Sequence, residues 1–124
     1  MALGVGVDII SISRVKDAVE TGGKAFLNKT FTMQEQKHAE THYNPTAYLA
    51  MIFACKEAVF KTFAIGWEPG MQLTDISIKY GNDGEPVPSL KGRFAELALR
   101  RGVSKILLSP SYDGDYAMAA AILF

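Results

Sequence analysis

The stretch Asn44–Phe63, NPTAYLAMIFACKEAVFKTF, decides how the rest of the chain is arranged. Asn44 is a favourable N-cap, and Pro45 stands at the first helical position, where its missing N–H is not needed. Gly66 follows just past the expected end. Tyr48, Leu49, Met51, Ile52, Phe53, Cys55, Val59, Phe60 and Phe63, with alanines between them, make the segment apolar almost all round. It therefore reads as a long central helix covered on most faces. Only Lys56, Glu57 and Lys61 interrupt it. Glu57 and Lys61 are four apart and share a face. They read either as a structural ion pair or as a site in which Glu57 takes a cation or a proton while Lys61 faces an anion. The second reading needs another acid nearby.

The chain start offers one. Leu3–Ile10 is β-branched and punctuated by glycine, and reads as a buried strand. Val5, Val7 and Ile9 share one face, while Gly4, Gly6, Asp8 and Ile10 share the other. Asp8 thus stands where two glycines remove side-chain bulk. It reads either as a strand-end residue or as a rigid carboxylate beside open space for a metal or phosphate.

Composition narrows the function classes. The 124 residues suit one domain with its own core. Lys plus Arg number 13 and Asp plus Glu number 13, so the balance argues against general nucleic-acid binding. Cys55 is the only cysteine, which excludes an internal disulfide or a cysteine-based metal site, and it reads as a small core hydrophobe. The opening MALGVGVDII lacks the features of a signal peptide, and no apolar run reaches the ~18 residues of a membrane span. A cytoplasmic protein that engages neither membrane nor nucleic acid is expected.

The remaining elements follow from local signals. Ser11 or Ser13 caps a short helix through Val19, closed by Gly22–Gly23. Thr32 and Glu35 form a capping box that opens a helix to about Thr41. His38 and His42 have metal-ligand spacing but polar surroundings, and read as surface residues. Leu73–Tyr80 and Val87–Leu90 read as strands about the turn Asn82-Asp83-Gly84. Gly92–Arg101 reads as an amphipathic helix. Lys105–Ser109 and Tyr116–Phe124 read as strands joined around Asp113-Gly114. The order β-α-α-α-β-β-α-β-β gives an α+β fold, a mostly antiparallel sheet packed against the long central helix and shorter helices.

Two acids on rigid elements can share a hard cation; Mg²⁺ takes one or two carboxylates and fills its other positions with water and phosphate oxygens. At this point the residues resemble a known family. GVGVDIISISRV at the start, FACKEAVFKTFAIG at the centre, the loop NDGEP and the ending SYDGDYAMAAAIL resemble the holo-acyl-carrier-protein synthases, small 4′-phosphopantetheinyl transferases. The similarity runs over nearly the whole chain, and its most specific parts are the GxD at the start and the FAxKEAxxKxF block.

The resemblance implies transfer of the phosphopantetheine arm of coenzyme A to a serine of an acyl carrier protein, with release of adenosine 3′,5′-bisphosphate. It implies that Asp8 and Glu57 hold Mg²⁺ against the coenzyme A pyrophosphate. Glu57, directly or through a metal-bound water, would help deprotonate the serine. Lys61 would stabilise pyrophosphate charge and could protonate the leaving phosphate. Arg14 and the helix after it would meet the acidic helix of the carrier. Gly66 would join Lys61, Gly84 and Pro86 in binding the coenzyme. A homotrimer with clefts between subunits is implied too.

Three departures stand against the family pattern. Ser11 replaces an acid, Ile52 an Arg, and Tyr112 a His. The last two are expected to weaken nucleotide or phosphate contacts, and Ser11 to shift the metal site. Two alternatives accompany the transferase: a catalytically weak relative that binds coenzyme A or a carrier, and a structural oligomer in which Glu57–Lys61 is only an ion pair.

Overall fold

The computed structural model describes all residues, Met1–Phe124. The elements run β1 (Gly4–Ser11), α1 (Ile12–Thr30), α2 (Met33–Glu40), α3 (Pro45–Thr62), β2 (Ile76–Tyr80), β3 (Pro86–Leu90), α4 (Gly92–Arg100), β4 (Ile106–Asp113) and β5 (Tyr116–Leu123), with a 3₁₀ turn at Leu73–Asp75 before β2. The expected α+β order is present. The strands form two antiparallel sheets rather than one: a three-stranded sheet ordered β1-β5-β4 and the hairpin β2-β3.

Helix α3 is the centre of the core. Asn44 accepts from the Ala47 N–H as N-cap, and Pro45 starts the helix. Ala47, Ala50, Ala54, Cys55, Lys56, Ala58 and Val59 are fully buried. The three-stranded sheet lies against the helix through Ala117, Ala119, Ala121 and Leu123 of β5, every second residue, as a pleated strand dictates. The hairpin closes the core with Ile76 and Ile78, and α4 with Phe94 and Leu97.

Strand β1 departs from expectation. Its row Val5, Val7 and Ile9 is 68%, 53% and 61% exposed, so the strand is not buried on both faces. The row that faces α3 is instead the one with the glycines. A Cβ on Gly4 would come within 2.2 Å of the Thr62 carbonyl, and one on Gly6 within 2.0 Å of the Ala58 carbonyl. Only glycine lets the two backbones approach so closely. Asp8, next in that row, is thereby delivered to the surface of α3.

Helix α1 continues to Thr30, well past the expected stop near Val19. Gly23 nonetheless takes a left-handed φ of 54° and breaks the helical path there. The second half is held by Phe26 and Leu27 packing on the core. Ser11 is the N-cap, accepting from the Arg14 N–H. Its hydroxyl donates to Asp115, as does that of Ser13. Those two donors hold the Asp115 carboxyl below the usual carboxylate range. The Thr32–Glu35 capping box has both of its reciprocal bonds.

Candidate active site

Asp8 leaves β1 opposite Ala119 of β5, near the C-terminal end of the strand. Glu57 leaves α3 towards the same side. Both line one cleft of about 360 Å³, together with Arg14 and the apolar walls Ile10, Phe26 and Phe53. Glu57 also lines a second cleft of about 350 Å³ with Lys29, Thr30, Trp67, Met71 and Leu73. It is thus a partition between two cavities. Burial pushes its carboxyl above the usual range, the Asp8 charge adds to the rise, and Lys61 partly offsets it.

Lys61 does not pair with Glu57. Its ammonium lies 3.0 Å from Asp8 Oδ1 and donates to the Val7 carbonyl at 3.2 Å. The local Glu57–Lys61 ion pair is therefore absent, and the partner comes from a strand 53 residues away in sequence. Asp8 has an ammonium beside it, and Glu57 has no salt bridge. No group of three or more His, Cys, Asp and Glu converges. Two carboxylates on rigid elements, one already drawing a positive charge, are a donor set that suits a small hard cation with open positions for water and phosphate. With an ammonium and a guanidinium close by, the arrangement can neutralise phosphate charge and accept a proton from a hydroxyl.

Other expected site residues lie elsewhere in the chain. Gly66 follows the end of α3 with open space around it. Gly84 lines a cavity of about 650 Å³ with Gln34, His38, Tyr48 and Tyr80. Pro86 lines a groove of about 550 Å³ between β3 and β4, with Leu90 and Ile106. The fold of one chain does not bring Gly84 or Pro86 into the Asp8–Glu57 cleft. His38 is a surface residue, its ring stacked between Tyr48 and Tyr80 with centroids 5.0 and 4.9 Å away.

The three departures have structural counterparts. Ser11 caps α1 and bonds Asp115, so a carboxylate from the β4–β5 turn stands beside the position that lacks an acid. Ile52 is 2% exposed and belongs to the core. The Tyr112 hydroxyl meets that of Tyr43.

Sequence reasoning missed the ion pair beneath the site. Lys56 is fully buried and its Nζ lies 2.7 Å from Glu35 Oε1. It also donates to the Leu73 carbonyl, while the Thr32 and Ile78 N–H groups donate to Glu35. All polar atoms of this group are satisfied. The signal was present, since a lysine inside an apolar helix demands a partner. Glu35 was already assigned to a cap, and it serves both roles.

The family model for the 4′-phosphopantetheinyl transferase superfamily matches residues 4–121. The holo-[acyl-carrier-protein] synthase of Natranaerobius thermophilus is 40% identical over 124 residues, covering 100% of this chain and 98% of that protein. The protein of the same name from Desulforudis audaxviator is 40% identical over 122 residues, covering 98% and 92%. Among solved structures, the holo-[acyl-carrier-protein] synthase of Neisseria meningitidis superposes with a TM-score of 0.89 at 27% identity, covering 100% of this chain and 99% of that one. A Chronobacterium ammoniagenes complex of such a synthase with coenzyme A gives a TM-score of 0.80 at 30% identity, covering 97% and 95%.

Proposed function

We infer a group-transfer reaction from one premise: this chain belongs to the 4′-phosphopantetheinyl transferase superfamily, whose model spans all but its ends. It is a holo-[acyl-carrier-protein] synthase, which moves the 4′-phosphopantetheine arm of coenzyme A to a serine hydroxyl of an apo acyl carrier protein. The observation that carries this reading is the shared cleft of Asp8 and Glu57, with the Lys61 ammonium 3.0 Å from Asp8.

The serine oxygen forms a bond to the phosphorus that bears pantetheine. The bond from that phosphorus to the bridging oxygen breaks, and adenosine 3′,5′-bisphosphate leaves with the electron pair. The serine proton passes to the Glu57 carboxylate, whose proton affinity burial raises. Lys61 meets the charge that grows on the leaving phosphate. Asp8 and Glu57 would hold Mg²⁺, which supplies neutralisation of the pyrophosphate. Arg14, exposed at the cleft mouth, would meet the acidic helix of the carrier.

Gly66, Gly84 and Pro86 would bind the coenzyme from outside the Asp8–Glu57 cleft. That separation agrees with a homotrimer in which each nucleotide lies between two subunits. The apolar face Val5, Val7, Ile9, Leu107, Tyr116 and Met118 supports association, because a lone chain seldom leaves so many large apolar side chains together in water. No helix is long and apolar enough to cross a membrane. We place the reaction in the cytoplasm, in keeping with a single free, buried cysteine.

The test is mass spectrometry of an apo carrier incubated with coenzyme A, Mg²⁺ and the protein. A gain of one phosphopantetheine is expected. Asp8→Ala and Glu57→Ala should each lower kcat/KM by roughly 10²-fold or more while folding normally. Activity retained in either variant would remove that residue from the site. Failure of the intact protein with every carrier tried, together with protection against unfolding by coenzyme A, would favour the binding relative instead.

A further inference from the structure

We propose that the Lys61 ammonium is the resident cation of the Asp8 subsite, and that a divalent ion enters by exchange with it. This rests on the reading of Asp8 and Glu57 as the ion's protein ligands.

Lys61 sits where a hard cation would be drawn. Its two closest acceptors are a carboxylate oxygen at 3.0 Å and a main-chain carbonyl at 3.2 Å, both oxygen donors of the kind such cations prefer. The carbonyl is available because β1 is the edge strand of its sheet, and edge strands leave main-chain groups unpaired. Gly6 makes the reach possible. Its missing Cβ would lie 3.1 Å from the Lys61 Cβ, so the lysine stem passes directly over the glycine.

The occupancy has a chemical consequence. Asp8 is only 14% exposed, so few directions remain from which an ion can approach it. An ammonium and a dication bound to one carboxylate would repel each other strongly across a partly desolvated site. The ammonium therefore swings away when the ion enters. Its side chain is 48% exposed, which leaves room for that movement. The exchange also brings charge to Glu57, which the ammonium leaves without a salt bridge. Once released, Lys61 remains tethered one turn beyond Glu57 and is free to meet an anion. Metal entry and arming of the lysine are then one event, and the lysine keeps Asp8 in place before it.

The experiment measures Mn²⁺ binding without coenzyme A, by electron paramagnetic resonance, in the intact protein and in Lys61→Met. Lys105→Met, whose ammonium lies over the Phe124 ring, gives the effect of removing one charge elsewhere. Lys61→Met is expected to bind about fivefold tighter or more, a gain on the scale of a partly exposed ion pair, and to exceed the gain of Lys105→Met. A second readout is amine labelling of the intact protein followed by peptide mass spectrometry. Mg²⁺ should speed modification of Lys61 and leave Lys105 unchanged. Equal or weaker Mn²⁺ binding by Lys61→Met, or a Lys61 labelling rate indifferent to Mg²⁺, overturns the exchange while leaving the transfer reading in place. If neither protein binds Mn²⁺ alone, the exchange falls; if binding fails with coenzyme A present as well, the assignment of the two acids as ligands falls with it.

Discussion

At the scale of single residues, the site depends on an atom that is missing. Gly6 has no Cβ, so β1 lies against the Ala58 carbonyl, and Asp8 two residues later reaches the cleft beside Glu57. A methyl group there must push the strand from the helix. Gly6→Ala is expected to cost about 1–3 kcal/mol in chemical denaturation, as overpacking does. The transfer activity should fall further than stability alone explains, because Asp8 moves with the strand. A variant as stable and active as the parent would show that the close approach is not needed. Asp8 and Glu57 could both be picked out as acids in apolar surroundings. The partner of Lys61 could not, since spacing along a helix points only to Glu57, and the competing carboxylate arrives on a strand.

At the scale of elements, the Glu35–Lys56 pair ties α2, α3, β2 and the turn at Leu73 into one unit. Burial lowers the proton affinity of Lys56, and Glu35 restores part of it. The chain turns at Lys56 from a core contact to Glu57, one residue on, which faces the clefts. The Leu73 carbonyl that Lys56 holds belongs to a wall of the second cleft. Removing one partner strands the other in the core. Lys56→Met alone and Glu35→Gln alone are each expected to cost about 3–5 kcal/mol in urea denaturation. The double variant Glu35→Gln with Lys56→Met should be less damaged than the sum of the two losses. Additive losses would mean that the two side chains act independently. Helix boundaries, caps and the capping box were legible in the sequence because they depend on neighbours within one turn. The length of α1 was not, because its second half is held by tertiary packing of Phe26 and Leu27 past the break at Gly23.

At the scale of the whole molecule, the sheet has two apolar faces and only one of them meets α3. The outer face carries Val5, Val7, Ile9, Leu107 and Met118, all at least 44% exposed. If copies of the chain meet there, a charge at the periphery of β1 should separate them. Val5→Asp is expected to convert the assembly to monomers in light scattering while each chain remains folded. Its transfer activity should fall, because Gly84 and Pro86 line cavities apart from the Asp8–Glu57 cleft. A parent protein already monomeric in solution, or a Val5→Asp protein that stays assembled, would rule this face out as the contact.

The amino-acid sequence by itself determined the order of elements, the central helix with its caps, the two acids and the family. Those depend on local periodicity, on turn chemistry and on motifs that are contiguous in the chain. Only the tertiary structure decided that β1 shows its glycine row to α3 and its valines to the outer face of the sheet. Only it paired Lys61 with Asp8 and Lys56 with Glu35. These choices turn on which backbones approach most closely and which charges meet across long separations, and neither is a property of any single stretch of sequence.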